Sequence, residues 1–184
     1  MPRRPRVDVP GSFHHLTTHG VDSRSLFDDD QDRWRFLGIV SDVTREVGWR
    51  CLAYCLMTTH YHLLVQQRDV PVSRGMRLLN GRYATAFNSR HVRVGHLMNG
   101  RYRDTAVETE AHLLSAIRYV ARNPVEAGLC VRAEDWPWSS YRELIGEAPH
   151  SSFVSSTWLL SLYGANRDEA IESVRRFVEQ VPGT

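Results

Sequence analysis

Residues 50–66, "RCLAYCLMTTHYHLLVQ", constrain the fold more than any other stretch. Two strand-like runs, "RCLAYCLM" and "HYHLLVQ", are joined only by "TT", and a joint that short predicts an antiparallel hairpin. The flanking segments extend this unit in a definite order. "SFHHLTTH" (Ser12 to His19), rich in threonine and aromatic rings, reads as a strand. "LFDDDQDRWRFLGIVSDVTREVG" sets Trp34, Leu37, Ile39, Val40, Val43 and Val47 near helical spacing. Asp28, Asp29, Asp30 and Asp32 crowd the start of that helix, where carboxylates suit the positive end of its dipole. Helix-start chemistry explains the cluster more simply than an acidic metal triad does.

Past the hairpin, "VSRGMRLLNGRYATAFNSR" reads as a basic helix interrupted around Gly81. "HVRVGHLMNGRYRD" reads as a loop or short hairpin and "DTAVE" as a strand. "TEAHLLSAIRYVARNP" is a helix that Thr109 caps and Pro124 limits. The order strand, helix, strand, strand, helix, strand, helix implies an α+β fold, a ferredoxin-like (RRM-like) antiparallel sheet with helices packed against it. "WPWSSY" (Trp136 to Tyr141) is expected to fold back as a brace on the sheet. From about His150 the chain turns polar and then forms a short terminal helix. The expected organisation is a main domain over residues 1–149 and a helical extension over 150–184.

Composition narrows the class. No apolar run approaches the roughly 18 residues that span a bilayer. The basic N-terminus "MPRRPRVDVP" has no apolar core behind it and so does not read as a signal peptide. Cys51, Cys55 and Cys130 are too few for a disulfide framework, and the expected address is cytoplasmic. All 23 basic residues are arginine. Eight of them lie between Arg68 and Arg103 against one acid, Asp69, so that segment carries a net +7. Guanidinium forks match phosphate oxygens, so Arg74, Arg77, Arg82, Arg90, Arg93, Arg101 and Arg103 are candidate nucleic-acid contacts; a solvated basic helix face is the plainer alternative.

Within the hairpin, His60 and His62 are two apart on a strand and point the same way, while Tyr61 points opposite. Both imidazoles can reach one cation, or both can be polar residues on a wet face. On the helix after Thr109, Leu113, Ile117, Val120 and Ala121 define an apolar side, and Tyr119 lies away from its centre. Asn123 is one turn beyond Tyr119, so its amide can approach the same point in space. A surface tyrosine followed by a helix-ending asparagine fits these spacings slightly better.

Several blocks taken together resemble one family. "AYCLMTTHYHLLVQ", "GRYATAFNSRHVRVGHLMNGRYRD", "IRYVARNPVEAGL" and "DWPWSSY" look like the single-tyrosine HUH transposases of the insertion sequence 200/605 type, nearest to the REP-associated tyrosine transposases. HUH denotes His, a hydrophobic residue, His, here His60-Tyr61-His62. The resemblance runs from about Ser12 to Tyr141. It implies a metal-dependent endonuclease that cuts and rejoins single-stranded, hairpin-associated DNA through a 5′-phosphotyrosine, working as a monomer or a homodimer. It further implies Tyr119 as nucleophile and His60, His62 and Asn123 as holders of Mg²⁺ or Mn²⁺. A domesticated nucleic-acid-binding module without catalysis is the alternative on the same fold. The chain departs from the family pattern at "MTTH", where "MPNH" is usual, at "GHLMNGRY", and at His19, where an arginine often stands. His15 is expected to be a core or substrate-side residue, not a ligand. Tyr83, Phe87, Tyr102 or Phe13 are candidates to stack on unpaired bases, with the core the stronger expectation for Phe87.

Overall fold

Alternation along two central strands sorts the chain into two cores. The computed structural model describes residues 9–180, so residues 1–8 of the basic N-terminus discussed above lie outside the described part. Strands β1 (Phe13–His19), β2 (Arg50–Leu56), β3 (His60–Gln66) and β4 (Arg103–Val107) form one sheet in the order β2-β3-β1-β4. Every pairing is antiparallel. With helices α1 (Asp30–Val47) and α2 (Val72–Arg90) between the strands, this is the expected ferredoxin-like topology. Helix α3 (Glu110–Glu126) follows β4, and short helices α4 (Tyr141–Leu144), α5 (Ser156–Leu160) and α6 (Arg167–Glu179) complete the described chain. No described helix is long and apolar enough to cross a membrane.

Tyr61, Leu63 and Val65 of β3 and Leu16 of β1 are buried with Phe36, Val40 and Val43 of α1 and Met76, Leu79, Tyr83 and Phe87 of α2. The opposite sheet face, with Ala53, Cys55 and Leu64, is covered by Leu113, Ile117 and Val120 of α3. Leu159 and Leu160 of α5 and Val174 and Val178 of α6 join that second core. Helix α6, beyond His150, is thus packed against the tyrosine-bearing helix.

The ends of α1 follow the expected chemistry. Asp29 caps it by accepting from the Asp32 N–H, and Gly48 ends it at φ 70°. Two boundaries differ from the expectation. Helix α2 is continuous through Gly81, because Leu79 and Tyr83 on either side are fixed in the core and one glycine costs only about 1 kcal/mol. Helix α3 passes through Pro124 and ends two residues beyond it, at Glu126. Proline removes one donor there, and the turn is closed by the Ala127 N–H on the Asn123 carbonyl and the Gly128 N–H on the Val125 carbonyl. Gly128, at φ 69°, is the true stop.

The brace forms as expected. The Leu56 N–H donates to the Trp138 carbonyl at 2.8 Å, the Ser140 N–H to the Tyr54 carbonyl at 3.0 Å, and Trp136 Nε1 to the Leu56 carbonyl at 3.0 Å. "WPWSSY" therefore closes the free edge of β2, which would otherwise present unpaired backbone groups. Cys51 and Cys55 are free and buried.

Two glycines of α2 give opposite predictions. A Cβ on Gly75 would stand 2.1 Å from the Trp49 ring, whereas one on Gly81 meets nothing within 4 Å. Gly75→Ala is expected to lower unfolding free energy by about 1–3 kcal/mol through overpacking. Gly81→Ala is expected to raise it by about 0.5–1 kcal/mol. Urea melts of the two variants check both signs.

Candidate active site

The open end of the α3 face carries the histidines. Register pairs His19 with His60 and Thr17 with His62, so these side chains, together with His15, stand on one side of the sheet. They line a cavity of about 470 Å³ whose other walls are Arg103 and Thr105 of β4 and His112, Ser115 and Tyr119 of α3. Helix α3 supplies both halves of what the spacing suggested. Its Leu113, Ile117 and Val120 side is buried, while Tyr119 remains 44% exposed at the cavity wall. The Tyr119 ring lies 5.6 Å from that of His62 and 5.5 Å from that of His15, edge-on to both.

His60 and His62 are perpendicular neighbours with ring centroids 4.9 Å apart. Asn123, one turn after Tyr119, is buried, and its side chain stands close enough to both imidazoles to favour their protonated forms. The geometry therefore gathers His60, His62, Asn123 and Tyr119 from two elements of a single chain. One atom of this group is an orphan. His62 Nδ1 faces His15 Nε2 at 2.9 Å and Thr17 Oγ1 at 3.2 Å, whereas His62 Nε2 is buried and makes no well-formed hydrogen bond among the described residues. A buried polar nitrogen without a partner is costly, and a second imidazole plus an amide oxygen beside it make a donor set suited to a divalent cation.

Other candidate residues fall elsewhere. Of the seven arginines only Arg103 lines the cavity. Arg74, Arg77, Arg82 and Arg90 belong to α2, which packs on the opposite face of the sheet. Arg82 pairs with Glu46 at 2.7 Å, and Arg90 with Asp29 and Asp32. Arg93 lies over the Phe87 ring, and Arg101 is exposed just before β4. Tyr83 and Phe87 are core residues and Tyr102 is buried, so none of these three presents a face to a base. Phe13 stacks on Trp158.

Asp28, Asp32 and His91 bring three potential metal donors within 4.8 Å of one another. Those donors are already engaged: Asp32 accepts from the Asp28 N–H and from Arg90, and contacts His91 Nε2 at 2.9 Å. Arg90 also holds the Asp29 carboxyl down to about 2.

Sequence spacing did not single out Thr17, Thr105, His112 or Ser115. His112 was the most accessible of these, since it lies two turns before Tyr119 on the same helical face. His15 was expected in the core or on the substrate side, and it lines the cavity in contact with both His62 and Tyr119.

Electrostatics keep these rings neutral. Burial pushes His62 down to about 2, helped by repulsion from His15, His60 and His19. Burial also lowers His15 to about 4, with Arg103 and His112 adding to it, and lowers His60. Histidine in an unfolded chain takes its proton near 6.5. Below that value the unfolded state binds more protons than the folded one, so stability falls as the pH drops toward the folded values. The metal-free protein is expected to lose about 1–3 kcal/mol between about pH 7 and pH 5 in urea melts, and His62→Leu to flatten that slope. A wild-type profile already flat over this window would show that burial does not hold the rings neutral.

Comparison with known proteins accords with this architecture. The family described as "Transposase IS200 like" matches residues 12–123. The structure of a REP-associated tyrosine transposase bound to a REP hairpin superposes with a TM-score of 0.71 at 18% identity, covering 84% of this chain and 98% of that one. At that identity the likeness establishes the fold. Two weaker overlays, below a TM-score of 0.5, carry no weight. One is a candidate transposase from Deinococcus radiodurans (0.45, 19% identity, 66% of this chain and 97% of that one). The other is the Saccharomyces cerevisiae tRNA(His) guanylyltransferase (0.49, 8%, 97% and 76%). No curated protein sequence matches. A family match over more than half the chain, on a sheet of the same topology, decides the affiliation: this protein belongs to the IS200-like transposase family.

Proposed function

We propose that this transposase is a cytoplasmic, metal-dependent, single-tyrosine DNA endonuclease and transesterase. It cleaves and rejoins single-stranded DNA next to hairpins, with Tyr119 as nucleophile. The observation that carries this proposal is the gathering of His60, buried His62, Asn123 and Tyr119 at one cavity, with His62 Nε2 in no well-formed hydrogen bond among the described residues. His60, His62 and Asn123 would hold Mg²⁺ or Mn²⁺, with imidazole favouring Mn²⁺. The chemistry such a cation supplies when bound is neutralisation of charge on the scissile phosphate as it develops.

The remaining work falls to the chain's own groups. Tyr119 is open to solvent, so its phenolic proton can leave to water and its side chain can meet a DNA backbone at the cavity mouth. The phenolic oxygen forms a bond to phosphorus, the bond from phosphorus to the 3′ oxygen breaks, and that oxygen takes up a proton. The products are a 5′-phosphotyrosine and a free 3′-hydroxyl. The same 3′-hydroxyl, or another, reverses the step without ATP, because the ester bond energy is retained. Arg103 supplies a fixed positive charge at the cavity wall, where a polyanion enters. Membership of the transposase family and the REP hairpin held by the similar transposase support hairpin DNA as substrate. The arginines of α2 face away from the cavity, so any part they take in binding would require DNA that wraps round the sheet edge.

Tyr119→Phe is expected to lower a chelator-sensitive covalent adduct by on the order of 10³-fold or more, with hairpin binding retained. Denaturing gels of labelled single-stranded hairpin DNA with Mn²⁺ or Mg²⁺ measure the adduct, and filter binding measures the affinity. Cleavage that survives in Tyr119→Phe would point to a hydrolase that uses water. Hairpin binding by the wild type with no adduct would leave a binding module.

A further inference from the structure

We propose that His15 is a positioning residue for His62, fixing the tautomer and ring orientation that leave His62 Nε2 as a free electron pair. The inference rests on the assignment of His60, His62 and Asn123 as the metal-holding set. A neutral imidazole has one N–H and one lone pair, and the partner of one nitrogen decides the state of the other. His62 Nδ1 has two neighbours, His15 Nε2 at 2.9 Å and Thr17 Oγ1 at 3.2 Å, both from β1. Thr17 is directly across the strand pair and His15 is diagonal to it, so the two straddle the same nitrogen.

The two possible proton arrangements are not equivalent. If His15 Nε2 carried the hydrogen, His62 would have to carry its own on Nε2, where it makes no well-formed hydrogen bond among the described residues and where no electron pair is left for a cation. If His62 Nδ1 donates to His15 Nε2, the buried Nε2 is a lone pair, and a lone pair is what a cation needs. The threonine hydroxyl both donates and accepts, so it cannot enforce either state, and it is the more distant of the two. His15 also holds the ring in place. It stacks on His62 at 5.1 Å and 25°, and its other side meets the Tyr119 ring edge-on. Rotation of His62 away from Asn123 would have to displace His15 into the tyrosine.

The test reads Mn²⁺ affinity without DNA, by electron paramagnetic resonance of the free ion, at a pH where the rings are neutral. His15→Leu fills the space but accepts no hydrogen bond, and is expected to weaken binding about 10–100-fold. His15→Gln, whose amide oxygen can accept, is expected to recover to within a few-fold of wild type. Thr17→Val is expected to change little. Wild-type affinity in a folded His15→Leu variant would overturn the proposal. Long-range nitrogen–proton NMR of the unmodified protein gives a mutation-free check, with His62 protonated on Nδ1 as the expected result and on Nε2 as the refuting one. His62→Ala separates the two levels. If it binds Mn²⁺ as wild type does, the metal assignment fails and this proposal with it. If only His62→Ala loses the ion, the metal assignment stands and the role of His15 is refuted.

Discussion

The pairing of β1 with β3 is the constraint on which the rest of the molecule depends. These are the two inner strands of the sheet, and their register puts Thr17 opposite His62 and His19 opposite His60. Each strand alternates its faces, so this register simultaneously sends Leu16, Tyr61, Leu63 and Val65 into the core under α1 and α2. A slip of one residue would turn Tyr61 and Leu63 toward the cavity and the histidines into an apolar layer. The core that excludes such a slip is therefore also what aligns four histidines on the opposite side. The brace at β2 adds to this by occupying an edge that a slipped or foreign strand could otherwise use.

The face bearing the histidines is divided along its length. Toward Leu64 it is dry and covered by α3 with the C-terminal helices packed alongside. Toward His60 it opens into the cavity. Helix α3 spans the boundary, which is why one helix both anchors itself through Val120 and exposes Tyr119 next to it. Neutral imidazoles at this boundary are a consequence of burial and mutual repulsion. They are the state that metal ligation requires.

Charge in the sequence and charge in space do not coincide. The basic segment between Arg68 and Arg103 looks like one footprint when counted along the chain. Folding distributes it over both sides of the sheet, because α2 and β4 are separated by a loop that crosses from one layer to the edge of the other. Arg82 and Arg90 are drawn to acids of α1, and Arg103 alone reaches the cavity. A linear count cannot register that separation.

Much of the fold is legible in the sequence. The short joint at Thr58 and Thr59 required a hairpin, and the carboxylates before Arg33 announced a helix start that Asp29 indeed caps. Period-two alternation at His60 and His62 and the displacement of Tyr119 from the apolar stripe are local properties, so they too could be read directly. Gly81 was misleading because its local penalty is small beside the burial of Leu79 and Tyr83 around it, and Pro124 because the turn it interrupts is closed by the Ala127 and Gly128 N–H groups. The sequence by itself determined which residues share a face of each element, since that depends only on backbone periodicity. Only the tertiary structure decided that His15 would stand against His62 Nδ1, that Asn123 would lean over both imidazoles, and that most of the arginines would lie elsewhere. Those facts depend on how separate elements pack, and no spacing along a single strand or helix contains them.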